Sequence, residues 1–232
     1  MAPAEGLRSL SRIVLYAAIF AGVSYIGSWF LDLSPALSIT WKGAGISLLA
    51  VYAGLNARSF DGWLLAVVMA FGALGDVLLG THGLVVGALA FLVGHLTAIW
   101  LYLKNRRAVL TAGDWAVAGA LVASIVIVAY LLPPDRAGAG AIALYASGLA
   151  VMTGAAFLSR FPRARVFAGA AMFAVSDLLI FLRTGRPALD TFPMGLGVWG
   201  LYFGGQILIA LGVVRTLRGS ATAAEPDAVQ VS

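Results

Sequence analysis

The chain of 232 residues contains no cysteine. That excludes disulfides, thiolate metal sites and a cysteine nucleophile, and it leaves the redox compartment unread. Charge is scarce as well. Asp, Glu, Lys and Arg make up 11% of the residues, against roughly 25% in ordinary soluble domains. Two histidines and no thiol give a structural zinc site too few donors. No H-E-x-x-H, G-x-x-x-x-G-K-[ST] or G-x-S-x-G pattern occurs, which removes the zinc-protease, phosphate-loop and nucleophile-elbow readings. No resident metal or cofactor is therefore expected.

What is present is apolar. Hydrophobic residues make up 61% of the chain, and 28 glycines suit closely packed membrane helices. The apolar segments are about 17–21 residues long, near the length that crosses a bilayer. They fall at 13–30, 37–55, 63–79, 84–103, 115–132, 138–158, 166–182 and 196–216. Turn signals such as Ser34-Pro35, Asp61-Gly62 and Pro133-Pro134-Asp135 separate them. The expected fold is all-α, a polytopic membrane bundle of eight transmembrane helices. Its parts are a cytoplasmic N-terminal segment (1–12), the transmembrane domain (13–218) and a disordered tail (219–232). Arg8 and Arg12 ahead of the first segment resemble the start of a signal peptide. That segment is long enough to span and no A-x-A site closes it, so it reads as an uncleaved first helix.

Eight spans put both termini on one side, and charge says which. With the termini inside, Arg8, Arg12, Arg58, Lys104, Arg106, Arg107, Arg160, Arg163, Arg165, Arg215 and Arg218 are cytoplasmic. Only Arg136, Arg183 and Arg186 lie outside, and Lys42 falls within a helix. This positive-inside bias puts both termini in the cytoplasm, and the membrane expected is a bacterial cytoplasmic membrane. It also accounts for the net charge of +5 without invoking nucleic acid.

Two segments carry an acid inside the apolar run: Phe71-Gly72-Ala73-Leu74-Gly75-Asp76-Val77-Leu78-Leu79 and Phe173-Ala174-Val175-Ser176-Asp177-Leu178-Leu179-Ile180. A lone acid at mid-membrane costs roughly 2.5–3.5 kcal/mol on insertion scales, so a function is expected of both. At about 1.5 Å of rise per residue, Asp76 lies roughly 20 Å along helix three and Asp177 roughly 16 Å along helix seven. The same rise brings Lys42, His95 and Gln206 between the midplane and the outer boundary. A common interior cavity is the economical arrangement for these groups and for Tyr202. Each also has a plainer role. Lys42 would snorkel to the interface, His95 would pack between helices, Tyr202 and Gln206 would be interhelical glue, and either acid would simply pair with Lys42. The two acid runs, followed by Gly94-His95-Leu96 and Gly205-Gln206-Ile207, form a faint parallel four-plus-four repeat.

At these residues the chain resembles the YhhN family, lysoplasmalogenase-like multi-pass membrane proteins. The resemblance covers 37–216. It rests on Lys42 early in helix two, on Leu74, Gly75, Asp76 and Leu79, on Phe91, Leu92 and His95, and on Ala174, Ser176, Asp177 and Leu179 followed by Tyr202 and Gln206. Gly43 departs from the pattern, since Pro follows the Lys in many members. The resemblance implies cleavage of the vinyl (alkenyl) ether bond of a lysoglycerophospholipid. The products would be a fatty aldehyde and glycerophosphoethanolamine or glycerophosphocholine, formed without a cofactor. The family's essential aspartates map onto Asp76 and Asp177. Such hydrolysis asks for one protonated carboxyl and one ionised carboxyl, which two neighbouring intramembrane acids suit. Lys42 would then set the charge of one acid or bind the phosphate, and His95, Tyr202 and Gln206 would position water or headgroup. The partners expected are a lysophospholipid and the bilayer. The competing readings are a transporter or flippase using the acids as proton or cation sites, and a scaffold in which they only pair with Lys42.

Overall fold

Short polar signals start the helices where the sequence turns. Ser34 caps α2 (Pro35–Asn56), with Pro35 at its first position, and Ser59 caps α3 (Phe60–Thr81). Thr111 and Asp114 form a reciprocal capping box on α5 (Ala112–Leu131), and Asp135 caps α6 (Arg136–Leu158). Gly83, at a φ of 84°, makes the turn from α3 into α4 (Leu84–Lys104). A π-helical turn (Arg163–Phe167) leads into α7 (Ala168–Arg183), and a short 3-10 turn (Pro187–Leu189) precedes α8 (Phe192–Ala224). With α1 (Pro3–Ser28), these make eight helices in a computed structural model that describes residues 3–224. All eight are long and apolar enough to cross a membrane. The chain is an integral multi-pass membrane protein, and no strand occurs among the described residues.

Two ends differ from the sequence reading. Helix α1 begins at Pro3 rather than near residue 13. Ser11 is buried there and accepts a 2.8 Å hydrogen bond from Asn56 Nδ2, so packing on α2 carries the helix through a polar stretch. Helix α8 runs on to Ala224, past the expected limit at 218. The remainder of the expected tail, 225–232, lies outside the described residues.

Six helices close into a ring in the order α2, α3, α4, α6, α7, α8, with α8 returning to α2 and also touching α3. Helix α1 lies outside against α2 and α8, and α5 lies outside against α6 and α7. Their apolar windows are accordingly only 17% and 11% buried, against 33% to 56% for the ring helices. The faces they leave free, for instance Phe20, Val23, Ile127 and Leu131, are those a bilayer would wet. Small residues let the ring close. A Cβ on Gly169 would come within 2.5 Å of the Gly205 carbonyl oxygen, so α7 and α8 meet backbone to backbone.

The two ends of the bundle are unlike. At the end where α1 begins and α8 finishes, Asp61 binds Lys104 at 2.6 Å and accepts from Asn105, and Asn105 accepts from Arg160. Asp114 there pairs with Arg107 and Arg163. The opposite end, formed by the last turns of α1, α3 and α7 and the first of α2, α4 and α8, opens into a cavity.

Candidate active site

The cavity has a volume of about 1180 Å³. Asp76 and Asp177 both line it, and both are buried, at 2% and 6% exposure. Each sits where its helix is held by a neighbour. Gly75 leaves room for the Phe91 ring of α4, which an added Cβ would approach to 2.8 Å. Ser176 Oγ donates to the Val198 carbonyl at 2.9 Å, tying α7 to α8 beside Asp177. That bond gives the small residue of the A-x-S-D run a role in positioning the acid.

The partners of the two acids differ. Asp76 receives the Lys42 ammonium on Oδ1 at 3.1 Å and the Tyr202 hydroxyl on Oδ2 at 2.8 Å. Asp177 receives the Tyr145 hydroxyl on Oδ2 at 2.7 Å and meets no cation among the contacts of the described residues. Lys42 thus turns inward to the acid instead of snorkelling to the interface, and its side chain keeps 20% exposure. Helix α2 passes it without a break. Gly43, in the place where a Pro was expected, lies so near α3 that a Cβ there would meet the Val77 side chain at 3.1 Å. Tyr202 also packs edge-on against Phe91 and Phe173, so its hydroxyl is aimed by a ring cluster.

Lys42, Asp76, Asp177 and Tyr202 therefore converge on one cavity, whereas His95 and Gln206 do not reach it. They line a second, much smaller cavity of about 10 Å³ with Tyr102. Phe91 lines both, so its ring stands between them. His95 packs against the rings of Tyr145 and Phe173, with centroids 5.6 and 5.2 Å away. Neither ring nitrogen of His95 has a protein hydrogen-bond partner, nor has Gln206 Oε1. Direct positioning of a headgroup by these two residues does not fit that geometry. Tyr145 is the residue that sequence reasoning missed. The one signal for it was a phenol within the small and aliphatic run of α6 at a depth comparable to Asp177.

This arrangement suits proton transfer between two carboxyls of unlike surroundings in a space that a lipid chain can enter. No curated protein and no solved structure is significantly similar to the chain. A family model does match, that of the YhhN family, over residues 37–213.

Proposed function

Because the chain belongs to the YhhN family, we propose that it is a lysoplasmalogenase-type hydrolase that cleaves the alkenyl ether bond of a lysoglycerophospholipid within the membrane. The observation that carries this reading is the pair of buried aspartates on one cavity, one beside a cation and the other beside a phenol alone. Asp76, with an ammonium 3.1 Å away, serves as the carboxylate. Asp177, whose Oδ2 accepts from Tyr145, carries the proton on Oδ1.

The steps follow from those states. Asp177 delivers its proton to the β-carbon of the vinyl ether, leaving an oxocarbenium ion that the Asp76 carboxylate stabilises. Water adds to the cationic carbon, and Asp76 takes the proton it releases. The hemiacetal then collapses. Asp76 returns its proton to the departing glycerol oxygen, and Asp177 takes the hydroxyl proton as the aldehyde forms. Both acids end as they began. Tyr145 and Tyr202 hold the carboxyls in place through the cycle, and a single-chain substrate keeps its tail among the lipids.

The test is aldehyde release from a lysoplasmalogen by the purified protein in detergent. Asp76→Asn and Asp177→Asn are each expected to abolish it. Release that survives both substitutions would sink the assignment. No release from any alkenyl ether lipid, together with proton-coupled uptake in liposomes, would favour a transporter instead.

A further inference from the structure

Three cations line the large cavity among the described residues: Lys42, Arg183 and Arg186. Lys42 is engaged by Asp76. The other two stand at the mouth, in the last turn of α7 and the loop that follows. They also run against the charge pattern of the chain, which keeps most of its basic residues at the opposite end. Arg136, the third arginine at the open end, is absorbed locally. It donates to the Tyr130 carbonyl at 2.8 Å and lies 4.3 Å from the Tyr130 ring. Arg183 and Arg186 have local contacts of their own but, unlike Arg136, they line the cavity.

We propose that Arg183 and Arg186 bind the phosphate of the lysolipid substrate. The proposal rests on the hydrolase reading above and moves the phosphate from Lys42 to the cavity mouth. Three observations carry it. First, Gly185, at a φ of 74°, turns the chain so that Arg186 reaches back to the end of α7, where its Nη1 donates to the Leu182 carbonyl at 2.6 Å. One nitrogen is thereby anchored on a residue that lines the cavity. Second, the ion pair that Arg183 makes among the described residues is long, 3.6 Å, to Asp190, whose side chain is 76% exposed. Solvent screens such a pair heavily, and a phosphate offers the guanidinium a better bidentate partner. Third, Arg183 follows Asp177 by six residues on the same helix, about 9 Å of rise toward the mouth. Both residues line the same cavity, and the three-carbon glycerol between the scissile ether and the phosphate is of comparable scale.

The full-length protein in uncharged detergent provides the test, with tryptophan fluorescence as the readout because Trp29 and Trp199 line the cavity. One probe is a 1-O-alkyl lysophosphocholine, a saturated ether that cannot be cleaved by vinyl protonation. The other is the 1-O-alkylglycerol with the same tail and no phosphate. Wild-type protein is expected to bind the phospholipid at least roughly tenfold more tightly, the effect of one charge-assisted hydrogen bond. In the Arg183→Gln/Arg186→Gln double variant the two ligands should bind equally, with the alkylglycerol affinity unchanged. Arg183→Gln alone leaves the Arg186 anchor in place and should remove part of the difference even if the double variant does not fold. Equal affinity of the wild type for the two ligands, or equal losses for both in the variants, overturns the proposal. Displacement of the alkylglycerol by inorganic phosphate would also overturn it, marking a free-phosphate site instead. Binding of the saturated ether is independent of turnover. Phosphate discrimination without aldehyde release from a vinyl ether lipid would therefore leave this subsite standing while the hydrolase reading fell.

Discussion

Lys42 and Tyr145 are what make two identical side chains unlike. Lys42 gives Asp76 a countercharge, whereas Asp177 has a neutral donor. Replacing Lys42 with Met would leave a buried carboxyl facing Tyr202 alone. The expected cost is about 3 kcal/mol, the low end for breaking a buried pair because the lysine side chain keeps 20% exposure. Thermal unfolding should show the loss. The Lys42→Met/Asp76→Asn double variant should recover most of the stability and none of the aldehyde release, since it removes the stranded charge along with the proposed base. The tyrosines allow a finer test. Tyr145→Phe keeps the ring contacts with His95 and Phe181 but deprives Asp177 of the one side-chain donor the described contacts give it. Tyr202→Phe leaves Asp76 with Lys42. Tyr145→Phe is therefore expected to slow aldehyde release by roughly tenfold or more, and Tyr202→Phe by less. Equal effects in the same assay would argue against the different roles assigned to the two acids.

At the scale of the helices, each acid takes a donor from the helix before its own: Lys42 on α2 for Asp76 on α3, and Tyr145 on α6 for Asp177 on α7. The last helix of each half crosses to the other half. Tyr202 of α8 binds Asp76, and His95 of α4 packs on Tyr145. The first helix of each half lies outside the ring. Helix α7 is set against α8 by glycine, and this contact fixes how far Asp177 stands from Tyr202 and Asp76. Gly169→Ala would push a methyl to 2.5 Å from the Gly205 carbonyl oxygen, a backbone atom that cannot swing aside. About 1–3 kcal/mol of stability should be lost to overpacking, and the strained contact should slow aldehyde release as the Ser176–Val198 bond shifts. Gly200→Ala on α8 is the control. Nothing lies within 4 Å of its Cβ, so Tm should hold or rise and activity should stay. Matching losses in the two variants would mean that the α7–α8 contact does not set the site.

Across the whole molecule, legibility in the sequence followed energetic cost. Asp76 and Asp177 stood out because a carboxyl in an apolar helix is expensive wherever it points. Lys42, His95 and Gln206 stood out for the same reason, but depth along a helix says nothing about which way a side chain faces, and only Lys42 of the three reaches the large cavity. Tyr145 costs little in a membrane helix and so gave no alarm. Arg183 and Arg186 were visible only in a charge census, because the place of Arg186 at the mouth depends on the turn at Gly185 and position along α7 does not say which way Arg183 faces. The polar start of α1 concealed a helix whose stability comes from α2, through Ser11 and Asn56. The census nonetheless makes a demand of the whole fold. The start of α1, the end of α8 and most basic residues occupy one end of the bundle and the cavity opens at the other. The positive-inside rule then predicts a mouth on the outer face. With no native cysteine in the chain, single-cysteine labelling reads this directly. Thr191→Cys, at the mouth, is expected to react with a membrane-impermeant maleimide in intact cells. Val109→Cys, 81% exposed between α4 and α5 at the terminal end, is expected to react only after permeabilisation. The reverse pattern would turn the mouth to the cytoplasm, where substrate would have to come from the inner leaflet, and would leave the aspartate pair and its partners unchanged.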